Sequence, residues 1–314
     1  MRWLAEARPG GLRSAVMAPP SYRISAVPVR GGPLAVAEWG PDDASAPVML
    51  AVHGVTANHL AWSPLAATLP QVRVIAPDLR GRGRSNRLGG PYGMRQHVED
   101  LVAVLDGLAV PRVTLVGHSM GGFVSVAFAA AHPERLAGLL LVDGGIPFDL
   151  PAGMDVETLI AAVLGPAAAR LSMTFASHEA YRDFWKVHPA FVGEWSPAVE
   201  AYVDYDLAPA PEARGQLRPS TLVEAMTEDS RDLYAGSIRE ALTKLPPRAT
   251  LLTAARGLLN GPPVYSPEAS ARRRTELAGL TISEVPDVNH YTIVMSEPGA
   301  RRVAAEALRV RAAG

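Results

Sequence analysis

Alternating runs of apolar and polar residues predict strands and helices in turn along the first half of the chain. Two short segments around Gly31-Gly32 read as a strand pair joined by a tight turn. Beyond them, four nearly continuous apolar runs are typical of strands buried on both faces. Apolar residues at helical spacing lie between these runs, so we predict a mainly parallel sheet flanked by helices. The predicted strands are 22–28, 33–39, 47–53, 72–76, 112–117 and 137–142, and the predicted helices are 95–108 and a segment from about Gly121 to His132.

The pattern changes after Gly145. Residues 148–245 contain amphipathic segments rich in aromatic residues and no convincing buried strand. We interpret this stretch as an inserted helical cap. The alternating pattern then resumes with strands at 249–254 and 280–285 and helices at 267–278 and 297–311. The predicted organisation is therefore a core of residues 21–147 and 246–314, a cap of residues 148–245, and a poorly ordered extension of residues 1–20.

Composition narrows the class of protein. The chain has 314 residues, 30 Lys and Arg against 31 Asp and Glu, and no cysteine. Disulfides, thiolate metal sites and a cysteine nucleophile are therefore excluded. A net charge of −1 argues against a protein that binds nucleic acids or membrane surfaces in general. No apolar run is long enough to span a bilayer.

The first residues lack the apolar core of a secretory signal, and Met17 offers an alternative start. We expect a cytoplasmic protein whose partner is a small molecule. The sequence carries no signal for the oligomeric state.

The segment 113–122, VTLVGHSMGG, contains the motif G-x-S-x-G. It follows an apolar strand and precedes a predicted helix, which is the context in which this motif carries a nucleophilic serine. The strained turn lifts the Ser119 hydroxyl out of the sheet, and Gly117 and Gly121 leave room where side chains would collide. Because the following helix directs its first N–H groups at the reacting centre, we predict the Met120 N–H as an oxyanion donor.

Two further motifs strengthen this interpretation. His53-Gly54 follows one buried strand, and the run 78–85, DLRGRGRS, follows the next. Together with the serine motif they resemble the α/β-hydrolase superfamily, in its capped, esterase-like form, over about 22–145 and 249–311. The resemblance implies an α/β-hydrolase fold with an inserted helical cap. It also implies that Val55 supplies the second oxyanion N–H.

The catalytic base of this family follows the last strand of the sheet, and the triad runs in the order serine, acid, histidine. Residues 285–292, VPDVNHYT, lie at that place. Of the eight histidines in the chain, only His290 has this position. We expect His290 to take the Ser119 proton during attack and to return it to the leaving group.

The third member of the triad departs from the family's pattern. The usual acid lies in a G-x-x-D turn, and residues 257–260 read Gly-Leu-Leu-Asn. Asparagine accepts a hydrogen bond from imidazole but brings no charge to stabilise imidazolium. Asp143 ends the preceding buried strand, where some capped members of the family carry their acid. We predict a triad of Ser119, His290 and Asp143, with Asn260 as the alternative third member.

These groups fit acyl transfer to water, and we expect hydrolysis of a small carboxylic ester through an acyl-enzyme on Ser119. A lactonase or a C–C bond hydrolase with the same triad remains open, as does a non-catalytic binding protein of this fold. Neither a cofactor nor a metal ion is expected, because no nucleotide or metal-binding spacing occurs. The predicted pocket residues are His118, Trp62, Trp185 and Trp195, and a substrate carboxylate has candidate partners in Arg182, Lys186 and Arg231.

The choice between Asp143 and Asn260 has a direct test. Asp143→Asn is expected to lower turnover by orders of magnitude, since the same change at the acid of serine proteases costs about 10⁴-fold. Asn260→Ala is expected to do little. Steady-state kinetics of the two variants decides, and the reverse result would reject Asp143 as the acid.

Overall fold

The computed structural model describes residues 20–149, 153, 158, 165, 167–233, 236–246, 248–277 and 279–312. The extension predicted for residues 1–20 therefore lies almost wholly outside the described residues, as does part of the predicted cap. The strands are β1 Arg23–Val29, β2 Gly32–Trp39, β3 Val48–Val52, β4 Arg73–Pro77, β5 Val113–His118, β6 Leu136–Val142, β7 Leu207–Pro209, β8 Leu217–Pro219, β9 Ala249–Arg256 and β10 Leu280–Asn289.

Eight of these described strands form one sheet in the order β1-β2-β4-β3-β5-β6-β9-β10. The strands from β4 to β10 in this order are parallel, and β2 joins them antiparallel to β4. The β1–β2 hairpin turns between Val29 and Gly32, as predicted. The prediction of a mainly parallel sheet is confirmed, and the carboxyl ends of its parallel strands meet at one edge.

The apolar runs are buried on both faces because successive side chains of a strand point to opposite sides of the sheet. In β6, Leu140 and Val142 pack into one apolar cluster, while Leu139 and Leu141 pack into the other. Helices α1 and α10 cover the first face, and α2, α3 and α7 cover the second. The helices of the described residues are α1 Ser63–Thr68, α2 Met94–Gly107, α3 Met120–Ala131, α4 His178–Lys186, α5 Pro197–Tyr205, α6 Val223–Asp232, α7 Gly236–Leu242, α8 Pro267–Glu276, α9 Thr292–Met295 and α10 Glu297–Ala312.

Residues 148–245, which we call the insert, lie between β6 and β9 and contain α4 to α7. Ser177 and Ser196 begin α4 and α5, since the side chain of each accepts a hydrogen bond from the N–H three residues later. The insert is not purely helical, because β7 and β8 pair as a short antiparallel hairpin. Three-residue strands leave too little periodicity to be seen in the sequence.

Buried polar contacts attach the insert to the core. Arg82 and Asp229 are both fully buried, and Arg82 Nη1 lies 2.6 Å from Asp229 Oδ2. His97 Nε2 lies 3.0 Å from the same oxygen, and the Gly93 N–H donates to Asp229 Oδ1 at 2.6 Å. Burial alone raises the pKa of Asp229, but His97, Arg82 and these hydrogen bonds lower it below its usual value. The carboxylate therefore stays charged and bonded.

Loss of the Asp229 charge is expected to destabilise the protein. Asp229→Asn leaves Arg82 as a buried, unpaired cation, so the free energy of unfolding should fall by about 3–5 kcal/mol in urea titrations. The matched control is Asp232→Asn on the same helix. Its side chain accepts from the Met94 N–H at 2.6 Å, and asparagine keeps that acceptor, so a loss of about 1 kcal/mol or less is expected. Equal losses in the two variants would show that the buried ion pair does not hold the insert in place.

Candidate active site

Ser119 lies on a strained turn between β5 and α3. Its backbone has φ 54° and ψ −124°, a conformation that non-glycine residues rarely adopt. The turn requires the two glycines around it. A Cβ on Gly117 would come within 2.2 Å of the Gly121 oxygen, and one on Gly121 within 2.1 Å of the Val52 oxygen. The motif thus allows a close crossing of strand and helix that exposes the Ser119 side chain to a cavity.

His290 follows β10, and its ring is held by Asp143. The Nδ1–H donates to Asp143 Oδ2 at 2.6 Å, while Asp143 Oδ1 accepts from the Ala254 N–H at 3.0 Å. Asp143 is fully buried at the end of β6, with a φ of 45° that turns its side chain towards the histidine loop. Since Nδ1 carries the proton, Nε2 of His290 is the nitrogen that can accept one.

His118, the residue before the serine, fixes the backbone of the histidine loop. Its Nε2–H donates to the His290 oxygen at 2.8 Å, and the two rings lie 4.7 Å apart. Burial, followed by the charge of His290, lowers the pKa of His118 well below its usual value. His118 is therefore a neutral donor. The sequence placed it in the pocket, which it lines, but gave no sign of this link to His290.

Asn260 lies beside the histidine loop and contacts it through a second asparagine. Its Oδ1 accepts from Asn289 Nδ2 at 3.3 Å. The buried Asn289 also donates to the Ala190 oxygen of the insert, and its Oδ1 accepts from the Tyr291 and Thr292 N–H groups. The side chain that contacts the His290 ring at Nδ1 is that of Asp143, the first of the two alternatives drawn from the sequence.

The loop after β3 packs against the nucleophile. A Cβ on Gly54 would lie 3.2 Å from the Ser119 Cβ, a tight contact that glycine avoids. Val55 and Met120 both line the cavity around Ser119. Arg82 joins them, because its Nε donates to the Val55 oxygen at 2.9 Å and its Nη2 to Met120 Sδ at 3.9 Å. From the sequence, Arg82 was identified only as part of the 78–85 motif.

His53 and Asp78 brace the same loop. The His53 Nε2 accepts from the Leu79 N–H at 3.0 Å, and its Nδ1–H donates to the Gly54 oxygen at 2.8 Å. Burial, the largest cause, lowers the pKa of His53 to about 4. Asp78 accepts hydrogen bonds from His59 and from the insert's Tyr205 hydroxyl, at 2.9 and 2.7 Å. These contacts fix the loop in one position.

The cavity next to Ser119 has a volume of about 500 Å³ and is lined by both core and insert. His118 and Trp185 lie in its wall, as predicted. Two other predicted pocket residues lie elsewhere. Trp62 is fully buried behind His118, with ring centres 6.5 Å apart, and Trp195 packs on the insert with its Nε1–H donating to Glu200 at 3.2 Å.

Two candidate carboxylate-binding side chains are engaged on the insert surface. Arg182 pairs with Asp204 and Glu200, and Lys186 pairs with Asp183. Over the residues that the structure describes, no cluster of three or more His, Asp or Glu side chains is suited to hold a metal ion. The same residues include no helix long and apolar enough to cross a membrane.

Because His53 is buried, we expect the protein to lose stability in mild acid. The unfolded chain binds a proton at His53 below a pH of about 6.5, whereas the folded chain resists it down to about 4. The free energy of unfolding should therefore fall as the pH drops through this window, by on the order of 3 kcal/mol from His53. His53→Gln should flatten the slope in denaturant titrations at successive pH values. His178→Gln, at a half-exposed histidine, is the control and should not; equal slopes in all three proteins would contradict the assignment.

Comparison with known proteins agrees with this geometry. A family model described as alpha/beta hydrolase fold matches residues 47–184. Lipase LipV of Mycobacterium tuberculosis is 31% identical over 246 residues, which cover 76% of this chain and 83% of the lipase. A 2-hydroxy-6-oxo-2,4-heptadienoate hydrolase of Pseudomonas putida is 41% identical over 115 residues, but these span 35% of this chain and only 41% of that enzyme.

Solved structures share the fold over most of the chain. E-2-(acetamidomethylene)succinate hydrolase superposes with a TM-score of 0.73 at 24% identity, covering 91% of this chain and 98% of that one. A hypothetical protein from Pseudomonas aeruginosa PAO1 gives 0.66 at 27% identity, covering 92% and 98%. The sheet order, the serine turn and the match to the lipase along three quarters of the sequence agree: the chain belongs to the α/β-hydrolase family.

Proposed function

We propose that this α/β hydrolase cleaves a small carboxylic ester through an acyl-enzyme on Ser119, with the insert acting as the cap that sets specificity. The observation that carries the proposal is the 2.6 Å hydrogen bond from His290 Nδ1 to Asp143, on a cavity that Ser119 also lines. A serine, an imidazole and a buried carboxylate in this arrangement are the parts of a nucleophilic triad.

In the proposed reaction, His290 Nε2 takes the hydroxyl proton as Ser119 attacks the ester carbonyl. The Asp143 carboxylate stabilises the imidazolium that forms and fixes its tautomer. His290 gives this proton to the departing alcohol, and the acyl group stays bound to Ser119. Water, activated by the same imidazole, then releases the acid and regenerates the enzyme.

The Val55 and Met120 N–H groups are proposed to stabilise the oxyanion of both tetrahedral intermediates. Support comes from the position of Met120 at the first turn of α3 and from the close packing of Gly54 on Ser119. One such donor contributes about 10²–10³-fold in turnover. The hydrogen bond that Arg82 donates to the Val55 oxygen would hold the loop in the orientation this role needs.

A C–C bond hydrolase is the second candidate, and the relative from Pseudomonas putida favours it. That relative is named for 2-hydroxy-6-oxo-2,4-heptadienoate. A molecule with these groups contains no ester, so its hydrolysis must break a carbon–carbon bond. The same serine, histidine and oxyanion donors would serve such a reaction, and only the substrate distinguishes the two candidates.

Hydrolysis of a substrate panel tests the proposal. Aryl esters, alkyl esters, lactones and vinylogous diketones are offered to the wild type and to Ser119→Ala. We expect an ester to be turned over best, and the variant to lose about 10⁴- to 10⁶-fold in turnover. Turnover of only the diketones would favour the second candidate.

A serine-directed phosphonate supplies an independent measurement by mass spectrometry. One equivalent should label the wild type and none should label Ser119→Ala. Ser230→Ala is the matched control, since Ser230 also lines the cavity but bonds the Met226 oxygen at 2.6 Å; this variant should still be labelled. Absence of labelling and of turnover in the wild type would instead mark a binding protein.

A further inference from the structure

The insert contributes one buried cation to the wall of the cavity. Arg170 lies in a helical stretch at 167–171, is 4% exposed, and lines the cavity that contains Ser119. Its Nη1 donates to the Tyr181 hydroxyl at 2.5 Å and to Asp206 Oδ2 at 2.7 Å. The N–H groups on Nε and Nη2 have no acceptor among the described residues. Since Arg170 lines the cavity, these N–H groups can donate to a hydrogen-bond acceptor on a ligand.

The ion pair with Asp206 engages only the Nη1 group of Arg170. The Asp206 carboxylate also accepts hydrogen bonds from the Tyr181 hydroxyl at 2.5 Å and from the Ser220 hydroxyl at 2.9 Å. These contacts hold the carboxylate on one side of the guanidinium. The Trp185 ring lies 5.0 Å from the Arg170 Cζ and fixes the guanidinium plane. The remaining edge of the guanidinium, with Nε and Nη2, is available to a ligand.

The side chains around this edge are donors as well. Tyr202 and Tyr291 line the cavity near Arg170, and neither hydroxyl is hydrogen-bonded within the part of the chain that the structure describes. Burial raises the pKa of both phenols, so both keep their protons. The Ala190 N–H donates to His188 Nδ1 at 3.2 Å, which leaves the proton on Nε2. Burial and then Arg170 lower the pKa of His188, so it is a neutral donor.

Apart from Asp206, no carboxylate among the described residues contacts Arg170. Asp149 is the carboxylate found in the described part of the cavity wall, and it pairs with Arg272 and Arg273. Among the described residues at this end of the cavity, a cation beside several hydrogen-bond donors complements a group that accepts hydrogen bonds and carries negative charge. A carboxylate meets both requirements, and arginine binds it through two parallel hydrogen bonds.

We propose that Arg170, Tyr202 and Tyr291 form a carboxylate subsite, so that the preferred substrates are esters that carry a free carboxylate. This inference rests on the proposed function at Ser119. Tyr291 follows His290 directly, with ring centres 5.8 Å apart, and Trp185 contacts both Tyr291 and Arg170. The subsite therefore lies in the same cavity as the reacting centre and adjoins it through Tyr291.

Matched pairs of esters test the subsite on either side of the scissile bond. For the acyl side, 4-nitrophenyl hydrogen adipate is compared with 4-nitrophenyl methyl adipate. For the alcohol side, 4-acetoxybenzoate is compared with methyl 4-acetoxybenzoate. In at least one pair the wild type should prefer the anion by about 10-fold or more in kcat/KM, as expected for charge-assisted hydrogen bonds.

The variants are chosen to keep the buried charges balanced. Arg170→Gln with Asp206→Asn replaces the ion pair by two amides, and should raise KM for the preferred anion by about 10- to 100-fold while sparing its neutral partner. Tyr202→Phe and Tyr291→Phe leave the ion pair intact and should each show a smaller loss confined to the anion. Arg182→Gln, a paired surface arginine of the same insert, is the control and should change neither ester.

Calorimetric binding of monomethyl adipate and of dimethyl adipate to Ser119→Ala separates this inference from the proposed function. The subsite is supported if the monomethyl ester binds, the dimethyl ester does not, and this binding is lost when Arg170 and Asp206 are replaced. This holds even if no ester is hydrolysed. The opposite result is hydrolysis of neutral esters that depends on Ser119, with no preference for the anion in either pair and no binding of the monoester. That result would overturn the subsite but would support the proposed hydrolase function. Preference for the anion that survives the double variant also overturns it.

Discussion

The bond between Asp143 and His290 depends on the order of the strands, and the rest of the site is arranged around it. It joins residues 147 positions apart in the sequence. It can form because β6 lies between the serine strand β5 and β9, and because parallel strands end at the same edge of the sheet. His118 then fixes the His290 oxygen from the serine side, and Asn289 fixes the following N–H groups from the insert side. The imidazole is thus held at its ring and through the backbone on both sides.

Much of the core could be predicted because the residue pattern that marks each buried strand lies within the strand itself. The apolar runs that form β3 to β6 are buried on both faces, so hydrophobicity alone marks them. The serine turn was visible because its motif of five consecutive residues, Gly117 to Gly121, lies between an apolar strand and a helix, although the contact that requires Gly121 is with the distant Val52. The third member of the predicted triad was harder to choose, since Asp143 and Asn260 both lie near the histidine loop. Only the three-dimensional arrangement shows which side chain contacts the His290 ring.

Side-chain direction in the insert could not be predicted, for a physical reason. Trp185 and Trp195 lie ten residues apart in similar aromatic surroundings, yet one lines the cavity and the other packs beside Glu200. The difference arises from how α4 and α5 pack on the core, which local propensity does not encode. Arg170 was missed for the same reason: its partners Tyr181 and Asp206 come from two other elements of the insert.

Arg82 connects the insert to the loops that surround Ser119. A buried guanidinium is stable only when its N–H groups are satisfied. Here the acceptors come from the Val55 loop, from Met120 after the serine, and from Asp229 on α6. Displacing α6 would leave the cation unpaired, at a cost comparable to a large part of the stability of a domain. The insert therefore cannot move as a free lid at this helix, and the part of the cavity wall formed by Ser230 and Leu233 is fixed to the loops that surround the serine.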